Sequence, residues 1–149
     1  MVIGIFGESC TGKSTLARLL QTRLDAEVYT GKDYLRFAKN ENMAKALFRK
    51  ELAAAVSGKH ILYVISEKEY LPLLPEGALR VLATADLELI KSRFAQRMNG
   101  NLPAAVAAML ERKHGCFDGE LHHVHMISGE TDPDALCDQI LQWEESHGQ

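Results

Sequence analysis

The sequence predicts an α/β fold, a three-layer α/β/α sandwich built on a five-stranded parallel sheet. Two observations predict it. Short apolar runs alternate with segments of helical periodicity along the chain, and strands that alternate with helices pair in parallel through right-handed crossovers. The first run, "MVIGIF", has almost no polar face, the pattern of a strand covered on both sides.

The elements follow in order. Residues 1–6 form the first strand. Residues 14–24 form a helix, with Leu16, Leu19, Leu20 and Arg23 at helical spacing. Residues 27–30 form a second, short strand. Residues 34–57, rich in Ala, Leu, Lys and Glu, form one long helix stopped by Gly58. Residues 60–65 and 79–83 are the third and fourth strands. Asp86 caps a helix that runs to about residue 98, "NGNLP" breaks the chain, and residues 104–113 form a further helix. Residues 124–127 are the fifth strand, and Asp132 and Pro133 open a last helix that ends near residue 146. No repeat, low-complexity segment or long linker interrupts this order, so residues 1–149 read as one domain. In such sheets ligands bind beyond the carboxyl ends of the strands, and that edge carries residues 7–15, 30–36, 66–70, 84–86 and 128–132.

Composition narrows the function. With 46% hydrophobic and 25% charged residues, a net charge of −3 and a pI near 6.1, the chain reads as a soluble globular protein without the basic footprint of a nucleic-acid binder. No apolar stretch reaches the ~18–20 residues needed to span a bilayer, and "MVIGIF" has no basic region before it. Cys10, Cys116 and Cys137 lie far apart with no Cys-x-x-Cys spacing, which points away from a disulfide framework or a zinc site. The expectation is a cytoplasmic protein without membrane or nucleic-acid polymer partners; oligomeric state is left open.

Between the first strand and first helix stands "GESCTGKS", which fits Gly-x-x-x-x-Gly-Lys-Ser/Thr, the phosphate-binding loop of the P-loop NTPase fold. Gly7 lets the strand turn and Gly12 lets backbone approach the ligand. The amides of Glu8, Ser9, Cys10, Thr11, Gly12, Lys13, Ser14 and Thr15 then face one concavity at the positive end of a helix. Lys13 can reach the β- and γ-phosphates of ATP, and Ser14 can ligate Mg²⁺. The helix terminus would favour a reactive Cys10 thiolate, although a small loop residue without a redox role is the simpler reading.

Other P-loop classes fit less well. The Asn-Lys-x-Asp of GTPases is missing, and so is the signature of transport ATPases. The third strand, "ILYVISEKE", has no apolar run ending in a single Asp, as many motor ATPases do. Small kinases remain.

The segment after the second strand, "YTGKDYLRF", resembles the acceptor-binding Thr-Gly-Asp-x-x-Arg of nucleoside monophosphate kinases, with one extra residue between Gly31 and Asp33. The resemblance, to adenylate- and cytidylate-like kinases, implies that Arg36 holds the acceptor's phosphate and that Asp33 sits near the metal and γ-phosphate. Asp33 also fits the N-cap of the following helix. In "DLELIKSRFAQRM", Arg93 and Arg97 share one helix face. In that superfamily such arginines begin a lid and clamp ATP and the transferring group, which here implies a short lid around residues 98–118, with Arg93, Arg97 and Arg112 closing over the reaction and Arg112 stabilising charge on the transferring phosphoryl group. Residues 128–131 match the loop that packs on adenine. After the third strand the family's Asp-Gly-Phe-Pro-Arg is replaced by "SEKEYLPLLPEG", which lacks the arginine; Glu67 takes the place of the acidic residue and would organise Mg²⁺ through water.

His122, His123 and His125 suggest a metal cluster, but on a strand residues 123 and 125 share one face and 122 the other, so ordinary edge histidines are expected. The sequence therefore predicts an ATP- and Mg²⁺-dependent kinase for a nucleotide or nucleoside. Two alternatives stay open: a kinase for a small alcohol such as shikimate or a sugar acid, with Asp33 as base, and a nucleotide-binding regulator without turnover.

Overall fold

Every residue of the opening apolar run is buried: it forms β1 (Val2–Gly7), the middle strand of the sheet. In the computed structural model, which describes residues 1–147, the strand order is β2-β3-β1-β4-β5 and all four pairings are parallel. β2 spans Ala26–Thr30, β3 His60–Ile65, β4 Leu79–Thr84 and β5 Val124–Ile127. The register sets Phe6 beside Ile65, Gly7 beside Ala83, Thr30 beside Val64 and Thr84 beside Ile127. The carboxyl ends therefore finish together, and the loops after all five strands meet at one edge.

The two-residue period of β1 divides the core. Ile3 and Ile5 face a cluster with Leu16 and Leu20 of α1 (Lys13–Arg23) and Leu136 and Ile140 of α5 (Pro133–His147). Val2 and Phe6 face the other side, against Phe48 and Leu52 of α2 (Glu41–Ala55). Each fully buried leucine of this kind contributes about 1.5–3 kcal/mol. A smaller third cluster joins Ile90 of α3 (Leu87–Arg97) and Leu110 of α4 (Ala104–Lys113) to Cys10 and Ala85 at the carboxyl edge. Lys91 of α3 and Glu111 of α4 add an ion pair at 2.6 Å.

The long helix expected over residues 34–57 is two pieces. A 3₁₀ helix, Gly31–Phe37, follows β2, Ala38 is extended, and α2 begins only at Glu41. Local hydrogen bonds cause the split. The Asp33 carboxylate accepts from the Thr30 backbone N–H at 2.8 Å, closing a capping box that starts the tight turn. The Asn40 side chain accepts from the Met43 N–H at 3.0 Å and restarts the helix. Asp33 is therefore the third residue of its turn; the N-caps are Thr30 and Asn40. A set of rings fastens the turn: Tyr29 and Phe37 pack on Phe48, as do Tyr34 and Tyr63. The Tyr63 hydroxyl donates to the Gly31 carbonyl at 2.7 Å, and the Tyr34 hydroxyl to Glu41 at 2.9 Å.

Asp86 stands at the N-cap of α3 without a side-chain capping bond. The chain leaves α3 through Asn99 and Gly100, both with positive φ. The histidines depart from the expected alternation because His123 precedes β5. Its Nδ1 accepts from the Arg80 N–H at 2.9 Å, while the His122 and His125 rings lie 5.7 Å apart. Among the described residues no group of three or more His, Cys, Asp or Glu is disposed to hold a metal ion. No helix among them is long and apolar enough to cross a membrane.

Candidate functional site

Gly7 ends β1 where a Cβ would sit 2.1 Å from the Ala83 carbonyl of β4, so only glycine lets the chain turn there. The loop then passes through two left-handed residues, Cys10 at φ 65° and Gly12 at φ 91°. Gly12 is the N-cap of α1, which has no side-chain cap and no acidic residue in its first turn. The first amides of α1 are thus left to a ligand, and the helix dipole favours an anion.

Lys13 is only 5% exposed. Its ammonium donates to the Glu8 carbonyl and lies 3.5 Å from the Thr11 hydroxyl, which itself donates to the same carbonyl at 2.8 Å. Burial pushes this ammonium down to about 8; Arg97 acts in the same direction, and Glu8 and Cys10 oppose it. A lysine held this way has a strong electrostatic incentive to meet an anion.

Three cavities surround the loop. The first, of about 550 Å³, is lined by Gly12, Thr15, Arg93, Arg97, Met126 and Ser128, among others. The second, of about 180 Å³, lies over residues 9–15 and also receives Arg18, Ser66 and Arg97. The third, of about 250 Å³, lies between Glu8 and Ser9, the start of the segment after β3 (Ser66, Glu67) and the α4 side (Met109, Lys113). The first two share Cys10, Thr11, Gly12, Thr15 and Arg97; the second and third share Ser9 and Ser66. The cavities form a continuous row across the loop.

Two of the predicted arginines reach this row. Arg93 donates to the Cys10 carbonyl at 2.9 Å and to the Ser128 hydroxyl at 2.8 Å, tying α3 to the phosphate loop and to the loop after β5. Arg97 lines both the first and second cavities. Ser14 lines the second, and Ser128, Gly129 and Thr131 line the first. Arg18 escaped the sequence reading, although it follows Ser14 by one helical turn, a spacing that places it beside the loop.

The remaining candidates lie elsewhere. Arg36 is exposed, with its guanidinium 5.5 Å over the Tyr29 ring and 3.6 Å from the Asp33 carboxylate. Neither Asp33 nor Arg36 lines any of the three cavities. Arg112 is exposed on α4 and lines none of them; its neighbour Lys113, also exposed, reaches the rim of the third cavity instead. Lys113 pairs with Glu67 at 3.5 Å, and both line the third cavity.

A five-stranded parallel sheet with this loop after its central strand is the α/β architecture of the P-loop NTPase fold. No protein-family model matches the sequence, and no curated protein matches it. Solved structures do. A sugar kinase from Janibacter is similar at a TM-score of 0.64 and 18% identity, over 99% of this chain and 95% of its own. Shikimate kinase from Acinetobacter baumannii, solved with shikimate, aligns at 0.63 and 18% identity over 97% and 93%. The YorR protein of Bacillus subtilis, solved with phosphorylated GDP, aligns at 0.62 and 20% identity over 100% and 99%. At this identity the likeness is one of fold.

Proposed function

We propose that the protein is an ATP- and Mg²⁺-dependent small-molecule kinase that transfers the γ-phosphoryl group to a nucleotide or nucleoside. The row of three cavities carries this reading. It offers a nucleoside-sized space, a phosphate station over the loop and a third space beyond it, the order an in-line transfer needs. Lys13, Arg18 and Arg97 supply cations at the middle station, where transfer depends on positioning and charge stabilisation. Arg93 holds the loop and the edge of the base site together. Arg112 faces outward and has no part in this assignment.

The Ser14 hydroxyl, in the phosphate cavity, fits Mg²⁺ as an oxygen donor, and the exposed Glu67 carboxylate fits contact through water. When bound, the ion would neutralise charge on the β- and γ-phosphates. Asp33, held by its capping box, shapes the turn after β2, and Arg36 lies exposed on that turn, so neither is assigned a contact with the acceptor.

The third cavity favours an acceptor without a phosphate of its own. No arginine lines it, and Lys113 and Lys68 are already paired with Glu67 and Glu120 at 3.5 and 3.2 Å. Its floor is apolar, from Met109, Leu110 and Phe117. A phosphate dianion calls for a guanidinium fork, whereas a neutral nucleoside offers an apolar face and hydroxyls. The two lysines at the rim support a second reading, a carboxylate-bearing alcohol.

The test is ATP consumption by the purified protein against nucleosides, nucleoside monophosphates, hydroxy acids and sugars, with Lys13→Ala as control. Turnover with one class, lost in the control, supports a kinase and identifies the acceptor chemistry. ATP binding without turnover on any acceptor refutes it in favour of a nucleotide-binding regulator.

A further inference from the structure

Glu8 is an odd residue for a phosphate loop, since a carboxylate aimed at a polyphosphate repels it. The fold turns it away. Glu8 is 9% exposed, and both its oxygens are taken by the far end of the α3–α4 excursion, more than a hundred residues along the chain. Oε2 accepts from the Gly115 backbone N–H at 3.1 Å, and Oε1 lies 3.2 Å from His114 Nδ1. A carboxylate only accepts, so Nδ1 carries the proton in this pair.

The lid-side partner is built for the contact. Gly115 has φ +80°, a conformation that presents its N–H and suits glycine. Two residues on, Phe117 is 2% exposed with its ring 5.8 Å from Phe6 of β1. The stem after α4 is thus anchored at two successive points, one polar and one apolar. Meanwhile the main-chain carbonyl of Glu8 receives both the Lys13 ammonium and the Thr11 hydroxyl. One residue holds the lid stem by its side chain and the loop lysine by its backbone.

We propose that Glu8 is a positioning residue that docks the stem at His114–Gly115 onto the phosphate loop and so sets where α4 stands relative to Lys13. Its kinetic consequence rests on the kinase reading; its structural consequence does not. Glu8→Ala leaves the Gly115 N–H without its carboxylate, whereas Glu8→Gln keeps an oxygen for it.

The first experiment is hydrogen exchange on the full chain. Glu8→Ala should speed exchange in residues 114–118 by about tenfold or more, Glu8→Gln should restore most of the protection, and His114→Ala should give a smaller effect in the same segment. In the double variant Glu8→Ala/His114→Ala the effects should be less than additive, since they remove one contact. Unchanged exchange in Glu8→Ala, or strict additivity, would overturn the proposal. The second readout is kinetic. Glu8→Ala should lower kcat about tenfold with little change in KM for ATP, and Glu8→Gln should recover it. A rise in KM for ATP with kcat intact would overturn the positioning role. Absence of turnover in the unmodified protein would defeat the kinase reading alone, and the exchange result would still judge the docking.

Discussion

Replacing Lys13 with methionine should stabilise the protein near neutral pH while abolishing phosphoryl transfer. The buried ammonium is pushed from its ordinary 10.5 down to about 8, chiefly by desolvation. That depression corresponds to about 3 kcal/mol against the folded state whenever the lysine is charged in both states. The sign follows from proton counts. Below about 8 both folded and unfolded chains hold the proton, and the full cost is present. Between about 8 and 10.5 only the unfolded chain holds it, so stability rises with pH. Above 10.5 the cost is gone. Methionine fills much of the same space without a charge, and loses a hydrogen bond to the Glu8 carbonyl worth about 1–2 kcal/mol. The net gain near pH 7 is about 1–2 kcal/mol, or about 2–8 °C in melting midpoint for a domain of this size. Urea denaturation of both proteins near pH 7 and near pH 10 measures it. The stability difference should move by about 2–3 kcal/mol over that interval, turning the variant's advantage near pH 7 into a deficit of about 1 kcal/mol near pH 10. A gap that does not change with pH would refute the account of a strained lysine.

Two further outcomes follow from the site. Arg93→Ala removes two charged hydrogen bonds and should weaken binding of a non-hydrolysable ATP analogue about tenfold by titration calorimetry, with Arg93→Lys restoring only part. Asp33→Asn keeps an oxygen for the Thr30 N–H and should leave the melting midpoint and kcat nearly unchanged, whereas Asp33→Ala should cost about 1 kcal/mol in thermal denaturation. A loss of about a hundredfold in kcat for Asp33→Asn would make it the general base instead.

What the sequence discloses depends on how local the cause is. β1, the loop and α1 are legible because an apolar run, two glycines and a lysine dictate their own conformation within one continuous stretch, residues 2–23. Parallel pairing follows from the alternation of elements, and the edge where the loops gather follows from that pairing, whereas the order β2-β3-β1-β4-β5 is set by long-range packing that the pattern does not encode. The break at residues 38–40 was hidden: Ala, Leu, Lys and Glu carry helical propensity across it, and only the Thr30–Asp33 box and the Asn40 cap interrupt the helix. Arg112 and Lys113 are adjacent and chemically alike, so which of them reaches the third cavity depends on how α4 packs, through Leu110, against Ile90 of α3. Glu8 looked like an ordinary loop residue because its partners, His114 and Gly115, are its neighbours only in the folded chain.

The ring cluster beneath the 3₁₀ turn has a consequence for how such a protein diversifies. Tyr29, Tyr34, Phe37, Phe48 and Tyr63 interlock, and two of their hydroxyls are bolted to the chain on either side. Aromatic side chains have few rotamers, so this cluster is a rigid part of the scaffold. α4, by contrast, is held by a small cluster and lines the third cavity with the pliable Met109 and Lys113. Descendants acquiring new acceptors would keep the aromatic cluster nearly unaltered and rewrite the helix, so variation among them should collect at positions such as 109 and 113 and spare 34, 48 and 63.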